Sequence, residues 1–374
     1  MQSSTLARLQ CVLSAGAHEE RSQARELESV ATMTLGRLAL ATLAALLVAC
    51  AGETGGPHTS ADEQVAAQPW RDWRAHPAVV EIDDADEIFA LSDPHGGYPQ
   101  LAQLLTANGL IASFPASPDD AAKVRWTGGN AILVVAGDLI DKGPSSLGVI
   151  DLLRSLESQA PASGGRVVVT LGNHEAEFFV DPHNDKATSN APDAVGIDNE
   201  LRVRGIDPAD IAARRDVDGR GAWMANLPFA VRVKKWFFAH SGNTEGDSIP
   251  ALEQRLRRAL DTKGWRAKDI TGKDSILEAE EWYGRPDKDD TARRNAAALG
   301  VKHIVFGHDP GAMKDRGRIL ASGDAALVKL NVNMGLDLKQ STKGGLLLHV
   351  HTKGTDSFEV LDSQGRAAPV PATR

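Results

Sequence analysis

The chain has 374 residues, 42% of them hydrophobic and 24% charged, enough apolar material for a substantial core in one α/β domain with insertions. Its net charge of −9 argues against nucleic acid or anionic lipid as a bulk partner, because an acidic surface repels their phosphates. With only two cysteines, Cys11 and Cys50, a disulfide framework is excluded.

Residues 1–32 carry Arg21, Arg25 and several glutamates and do not fit a targeting segment, so the start of translation is expected at Met33. From there Arg37 is a short cationic region. Leu38 to Ala49 is an apolar run of signal-peptide length, too short for a membrane span. It ends in Leu47-Val48-Ala49-Cys50, which resembles the bacterial lipobox, whose cysteine is lipidated and becomes the first mature residue. On that basis residues 1–50 are a signal region. A lipidated Cys50 implies the bacterial cell envelope, on the periplasmic face, with the membrane touched only through the anchor. An uncleaved N-terminal anchor helix is the alternative. Residues 51–75, rich in Gly, Ala and polar side chains, are expected to be a flexible tether.

A folded domain is expected over residues 76–362, with 363–374 as a tail. Residues 87–92 (EIFALS) read as a strand, and Tyr98 to Asn108 has apolar residues at helical spacing. Ala131 to Ala136 is a continuous apolar run, the pattern of a strand covered on both faces. Ser145 to Gln159 is the next helix and Arg166 to Leu171 the next strand. Lys235 to Ala239, His303 to Phe306, Leu327 to Val332, Leu346 to His351 and Ser357 to Leu361 follow as strands. Strand, helix and strand at this spacing predict βαβ units and a largely parallel central sheet. Phe178 to Asn226 is polar, charged and poor in β-branched runs, so it is expected to be an inserted, mostly helical cap. Residues 247–299 are expected to be further helical connections.

Five of these strands stop at a residue competent to bind metal. EIFALS runs into Asp93-Pro94-His95, and AILVVA into Gly137-Asp138, with Asp141 and Lys142 just beyond. RVVVTL runs into Gly172-Asn173-His174-Glu175, KWFFA into His240, and HIVF into Gly307-His308. Loops at the carboxyl ends of strands in an open α/β sheet converge on one crevice, so these distant residues are expected to meet. Carboxylates and imidazoles together suit Mn, Fe or Zn. Each motif alone is common; five in order at strand ends are not.

The series D-x-H, G-D-x-x-D-x-G, G-N-H-E, H and G-H resembles the calcineurin-like metallophosphoesterase superfamily over about residues 87–350. G-N-H-E, together with Arg220-Gly-Ala-Trp223 and Trp282-Tyr283-Gly-Arg285, looks like its phosphoprotein-phosphatase branch, closest to bacterial Shewanella-like phosphatases. The resemblance implies an α/β fold of mixed sheets in a sandwich, flanked by helices and carrying a helical cap. It implies two divalent metal ions, Mn, Fe or Zn. Asp93, His95 and Asp138 would hold one, and Asp138, Asn173, His240 and His308 the other. The reaction implied is hydrolysis of phosphomonoesters, phosphoprotein among them, by a metal-activated hydroxide. His174 would be the general acid, with Asp141 orienting it. A nucleotide or dinucleoside polyphosphate hydrolase, or a non-catalytic metal-binding scaffold, are the alternatives.

Two departures stand out. Lys142 occupies the place where the family usually has Arg, and a point charge clamps phosphate less well than a bidentate fork. Arg220 and Arg285 are candidates to share that clamping. The last motif is Gly-His-Asp-Pro, not Gly-His-x-His, which favours the phosphomonoester branch. Glu175 is expected to be a supporting carboxylate. His349 and His351 alternate with Val350 as one face of a late strand, and with His18, His58, His76, His183 and His303 they are expected to be ordinary histidines.

Overall fold

Short β-branched and aromatic runs set the strands. They are β1 (Val79–Ile82), β2 (Glu87–Leu91), β3 (Ile132–Ala136), β4 (Arg166–Thr170), β5 (Asn190–Ala191), β6 (Ala194–Val195) and β7 (Ala230–Val233). Then come β8 (Trp236–Ala239), β9 (His303–Phe306), β10 (Leu320–Ala321), β11 (Leu327–Lys329), β12 (Leu346–His351), β13 (Ser357–Asp362) and β14 (Ala367–Pro369). These come from a computed structural model that describes residues 71–191, 194–285, 287–336 and 341–373. The signal region with Met33 and Cys50, His18, His58 and residues 51–70 of the tether lie outside the described residues.

The strands form two six-stranded sheets, ordered β14-β13-β12-β2-β3-β4 and β1-β7-β8-β9-β11-β10. Within the first, β2, β3 and β4 are parallel, while β12 and β13 join antiparallel. Within the second, β8, β9 and β11 are parallel and β7 turns back against β8. The largely parallel sheet expected from βαβ spacing is therefore the centre of each of two mixed sheets. Alternation decides their packing. Ile88, Ala90 and Val134 of the first sheet meet Val231, Phe238 and Val305 of the second in one buried cluster, which makes a sandwich. Phe89, Leu91, Leu133 and Val135 point the other way, into a larger cluster with the helices. Both faces of β2 and β3 are covered, which is why their sequences read as continuous apolar runs.

The helices are α1 (Tyr98–Ala107), α2 (Ser146–Gln159), α3 (Asn173–Val180), α4 (Ile197–Val203), α5 (Pro208–Ala212), α6 (Arg220–Ala225), α7 (Ile249–Lys263), α8 (Lys268–Thr271), α9 (Glu281–Gly284) and α10 (Lys288–Leu299). The stretch 178–226, expected to be mostly helical, carries the short helices α4, α5 and α6 and the β5–β6 pair, with turns and loops making up more than half of it. Among the described residues no helix is long and apolar enough to cross a membrane.

The folded unit extends past both expected edges. Arg71 is buried, and its guanidinium donates to the carbonyls of His76, Pro77 and Leu227 at 2.9–3.0 Å. Trp73 lies under it and donates from Nε1 to Asp261. Residues 71–73, expected to be tether, are thus packed. The expected tail supplies β14, and Ala372 bridges to Ala321.

Candidate metal centre

The strand ends deliver the side chains. Asp93 and His95 follow β2, Asp138 to Lys142 follow β3, Asn173 and His174 open α3 after β4, His240 follows β8, and His308 follows β9. Parallel order in each sheet puts these ends on one edge of the sandwich. The turns there are tight. Asp93, His95, Asp138, Asp141, Lys142 and His308 all have φ between 41° and 65°. That left-handed backbone costs about 1–2 kcal/mol for a residue with a Cβ, least for Asp, and is concentrated where function requires it. Glycine clears the remaining space. A Cβ on Gly172 would strike Asp138 Oδ1, and one on Gly307 would strike Asp93 Oδ2.

The carboxylates and imidazoles converge in two adjoining groups. Asp138 Oδ2 lies 3.5 Å from His95 Nε2, which is 3.9 Å from Asp93 Oδ1. Asp138 Oδ1 lies 3.2 Å from His240 Nε2. Around that nitrogen stand Asn173 Oδ1 at 3.0 Å and His308 Nδ1 at 3.2 Å. Asp138 thus turns one oxygen to each group. Backbone carbonyls fix the imidazoles: His95 Nδ1 donates to Ile140 O at 3.0 Å, and His240 Nδ1 to Ala136 O at 2.9 Å. With Nδ1 so engaged, Nε2 is the nitrogen each ring turns toward the centre, the orientation that hydrogen bonds behind a metal ligand arrange.

Several observations fit cations at this place. Asp93 Oδ1 is buried without a hydrogen-bond partner. The Asn173 amide can present either edge. With nitrogen inward it donates to Asp138 Oδ1 at 3.1 Å and to His308 Nδ1 at 3.3 Å. With oxygen inward it joins acceptors that only a cation would satisfy, while Nδ2 donates to Glu278 at 3.4 Å. Lys142 Nζ sits 2.8 Å from His95 Nε2, a cation where the donor set calls for one. The oxygen and nitrogen donors match Mn, Fe or Zn.

The electrostatics are those of a buried, crowded cluster. Burial opposes charge on Asp138, but His240 and His174 hold its carboxyl well below the usual range. Burial lifts Asp93 to about 7, against the pull of His240. It also lowers His308 to about 3, with His240 adding to the effect.

His174 is placed differently. Its Nδ1 lies 2.7 Å from Asp141 Oδ2, and its Nε2 faces the centre, 3.8 Å from Asp138. Asp141 is pinned in turn, since its Oδ1 accepts from the Ile197 N–H of the insertion at 2.9 Å. Glu175 accepts the backbone N–H groups of Asp138, Leu139, Ile140 and Gly172 at 2.8–3.2 Å. It ties the Asp138 loop to the start of α3 and supports the centre without entering it.

A cleft of about 470 Å³ opens over these groups. Lys142 lines it, but the two arginines do not. Arg220 forks onto Asp151 of α2 at 2.8 and 2.9 Å and also pairs with Asp218, so its role is to hold α6 on α2. Arg285 is exposed beside Glu281 at 3.5 Å, in a neighbouring depression. The cleft instead takes Asp185, Lys186 and Ser189 from the insertion, and Glu280. Lys186 pairs with Glu177 at 2.7 Å; burial opposes its charge, yet Glu177 raises its pKa. Lys329 is wholly buried in β11, and its ammonium donates to the carbonyl of Pro310 at 2.9 Å. Asn331 donates to the His308 carbonyl at 2.8 Å. These two hold the His308 loop. The sequence signal for them is a polar residue at alternate positions in an otherwise apolar strand.

The family model for calcineurin-like phosphoesterase matches residues 87–312, more than half of the chain. Shewanella-like protein phosphatase 2 of Arabidopsis thaliana is 31% identical over 96 residues, 26% of this chain and 22% of that protein. A symmetrical bis(5'-nucleosyl)-tetraphosphatase of Burkholderia mallei is 27% identical over 186 residues, 48% of this chain and 56% of that enzyme. The matches therefore span about a quarter to about half of these relatives' lengths. The cold-active protein-tyrosine phosphatase of a psychrophilic Shewanella shares the fold, with a TM-score of 0.56 at 18% identity over 79% of this chain and 82% of that one. The matched interval contains every donor at the strand ends, from Asp93 to His308. The chain belongs to the calcineurin-like phosphoesterase family and is a hydrolase of the metallophosphoesterase type.

Proposed function

We propose that the protein hydrolyses phosphomonoesters, phosphoprotein among them, with His174 as the general acid. The observation that carries this is the His174–Asp141 pair at the rim of the donor cluster. Asp141 accepts from Nδ1, so the proton that can be given lies on Nε2, the nitrogen facing the centre. A positioned acid of this kind is worth about 10²–10⁴-fold in rate by protonating the departing alkoxide or phenolate. Asp93, His95, Asp138, Asn173, His240 and His308 would hold two divalent cations, with Asp138 shared. Bound there, the cations supply Lewis-acid charge neutralisation and an acidified water.

The cleft chemistry favours a single phosphoryl group. Lys142 and Lys186 can meet its oxygens, while Asp185, Glu280 and Asp309 surround them. Such an acidic rim repels a chain of phosphates but tolerates one dianion held by metal. The match to the Burkholderia tetraphosphatase supports a dinucleoside polyphosphate as the second reading. Rates on p-nitrophenyl phosphate, phosphotyrosyl and phosphoseryl peptides and diadenosine tetraphosphate, each with Mn²⁺, separate the two. Preference for the monoesters supports the first reading, and cleavage of the tetraphosphate alone replaces it.

The Leu47–Cys50 motif supports attachment to the cell envelope through a lipid on Cys50, with the domain on the periplasmic face. Metabolic labelling with a lipid precursor tests this; a Cys50→Ser protein that still takes the label contradicts it.

A further inference from the structure

A second group of nitrogen and oxygen donors stands at the opposite end of β2. Strand register places His351 beside Glu87, and His349 beside Phe89 and Glu359. Side chains alternate along a strand, so these residues share one face of the first sheet, the face away from the second sheet. Glu87 opens β2 and Asp93 follows it, so this group lies about 20 Å from the metal centre at ~3.3 Å per residue.

His349 lies flat on Phe89, ring centroids 4.2 Å apart, and is only 8% exposed. Neither of its ring nitrogens makes a hydrogen bond. Glu359 Oε1 is 3.3 Å from Nδ1 without hydrogen-bond geometry, and Glu87 Oε2 is 4.0 Å from Nε2. His351 completes the group, 3.7 Å from Glu87 and 3.6 Å from Glu359, its ring centroid 4.1 Å from that of His349. A buried imidazole with neither nitrogen hydrogen-bonded calls for an explanation.

The donor atoms of Glu87, His349 and His351 all lie within 4.8 Å of one another. Tetrahedral Zn²⁺, bound at about 2.0–2.2 Å, holds its ligands roughly 3.3 Å apart. Glu87, 4.0 Å from His349 Nε2 and 3.7 Å from His351 Nδ1, needs only small side-chain adjustments to reach that. We propose that Glu87, His349 and His351 form a site for Zn²⁺ or a cation of its class, clipping β2 to β12, with Glu359 beside the ring nitrogens turned away from it. Two imidazoles and a carboxylate suit such a cation better than Mg²⁺ or Ca²⁺, which take oxygen ligands.

Full-length protein stripped by a chelator and titrated with Co²⁺ tests the site, read by bound equivalents and by the visible spectrum. Wild type should bind one equivalent more than a His349→Ala/His351→Ala protein, with tetrahedral Co²⁺ absorption that the variant lacks. An Asp138→Asn protein, impaired at the metal centre, should keep that spectrum. A Glu87→Gln protein should lose it, and this variant decides the matter should the histidine variant not fold. Both strand variants should hydrolyse p-nitrophenyl phosphate at the wild-type rate. Equal Co²⁺ stoichiometry and spectra in wild type and the glutamine variant overturn the site.

Discussion

At the scale of single residues, the decisive arrangement is a histidine held at one nitrogen and aimed with the other. Asp141 does the holding, and the insertion pins Asp141 through the Ile197 N–H. His174→Asn should lower kcat about 10²–10⁴-fold while metal content stays at the wild-type level. Parallel turnover and metal analysis check this, and a variant that loses its metal as well would make His174 a ligand. Glu175 is a different case. Burial, with Asp138 beside it, raises its carboxyl to about 7, yet it satisfies four backbone N–H groups. Glu175→Ala would leave those donors buried and unpaired, a loss of about 1–3 kcal/mol for each unsatisfied group. Its thermal midpoint should fall well below that of wild type. Residue roles were only partly legible. Donors at strand ends declare themselves because an apolar run stops at them. Arg220 looks equally functional in sequence, but its partner Asp151 is distant in the chain, and only the packing of α6 on α2 brings them together.

At the scale of elements, the strands were readable and their pairing was not. Continuous apolar runs at β3 and β4 signal burial on both faces. Nothing local distinguishes a strand that joins the first sheet from one that joins the second. The antiparallel pairs β7–β8 and β12–β13 depend on turns that carry no βαβ spacing. The insertion carries short helices where the sequence lacks β-branched runs, but more of it is turn and loop than helix, and its composition does not show that Lys186 reaches the cleft. Its helix α4 offers a test of pH dependence. Burial raises the Glu200 carboxyl from 4.5 to about 7. A raised acid binds its proton more tightly folded than unfolded. Its contribution is stabilising below the unfolded value and is lost as pH rises toward 7. Glu200→Gln stays neutral, so it should melt a few degrees above wild type at pH 8 and close to it at pH 5. Melting curves at both values check the sign. Arg71 tests the other edge. It bridges carbonyls before β1 to the one that closes the insertion, Leu227 O. Arg71→Ala should cost about 2 kcal/mol, read as a lower denaturation midpoint.

At the scale of the whole molecule, two sheets meet so that five strand ends share one edge, and the residue that joins their donors is Asp138. It faces His95 with one oxygen and His240 with the other, and His174 takes its position from the same carboxylate through the backbone N–H at 3.1 Å. Two close cations repel one another, and a carboxylate placed between the two donor groups would offset that repulsion. Hydrolysis of p-nitrophenyl phosphate by wild-type and Asp138→Asn protein, each saturated with Mn²⁺ and analysed for bound metal, tests this most directly. The account predicts that the variant remains folded, loses metal from the centre and falls at least about 10³-fold in kcat/KM, a transition-state loss of about 4 kcal/mol. Wild-type turnover with full metal occupancy in Asp138→Asn would contradict it.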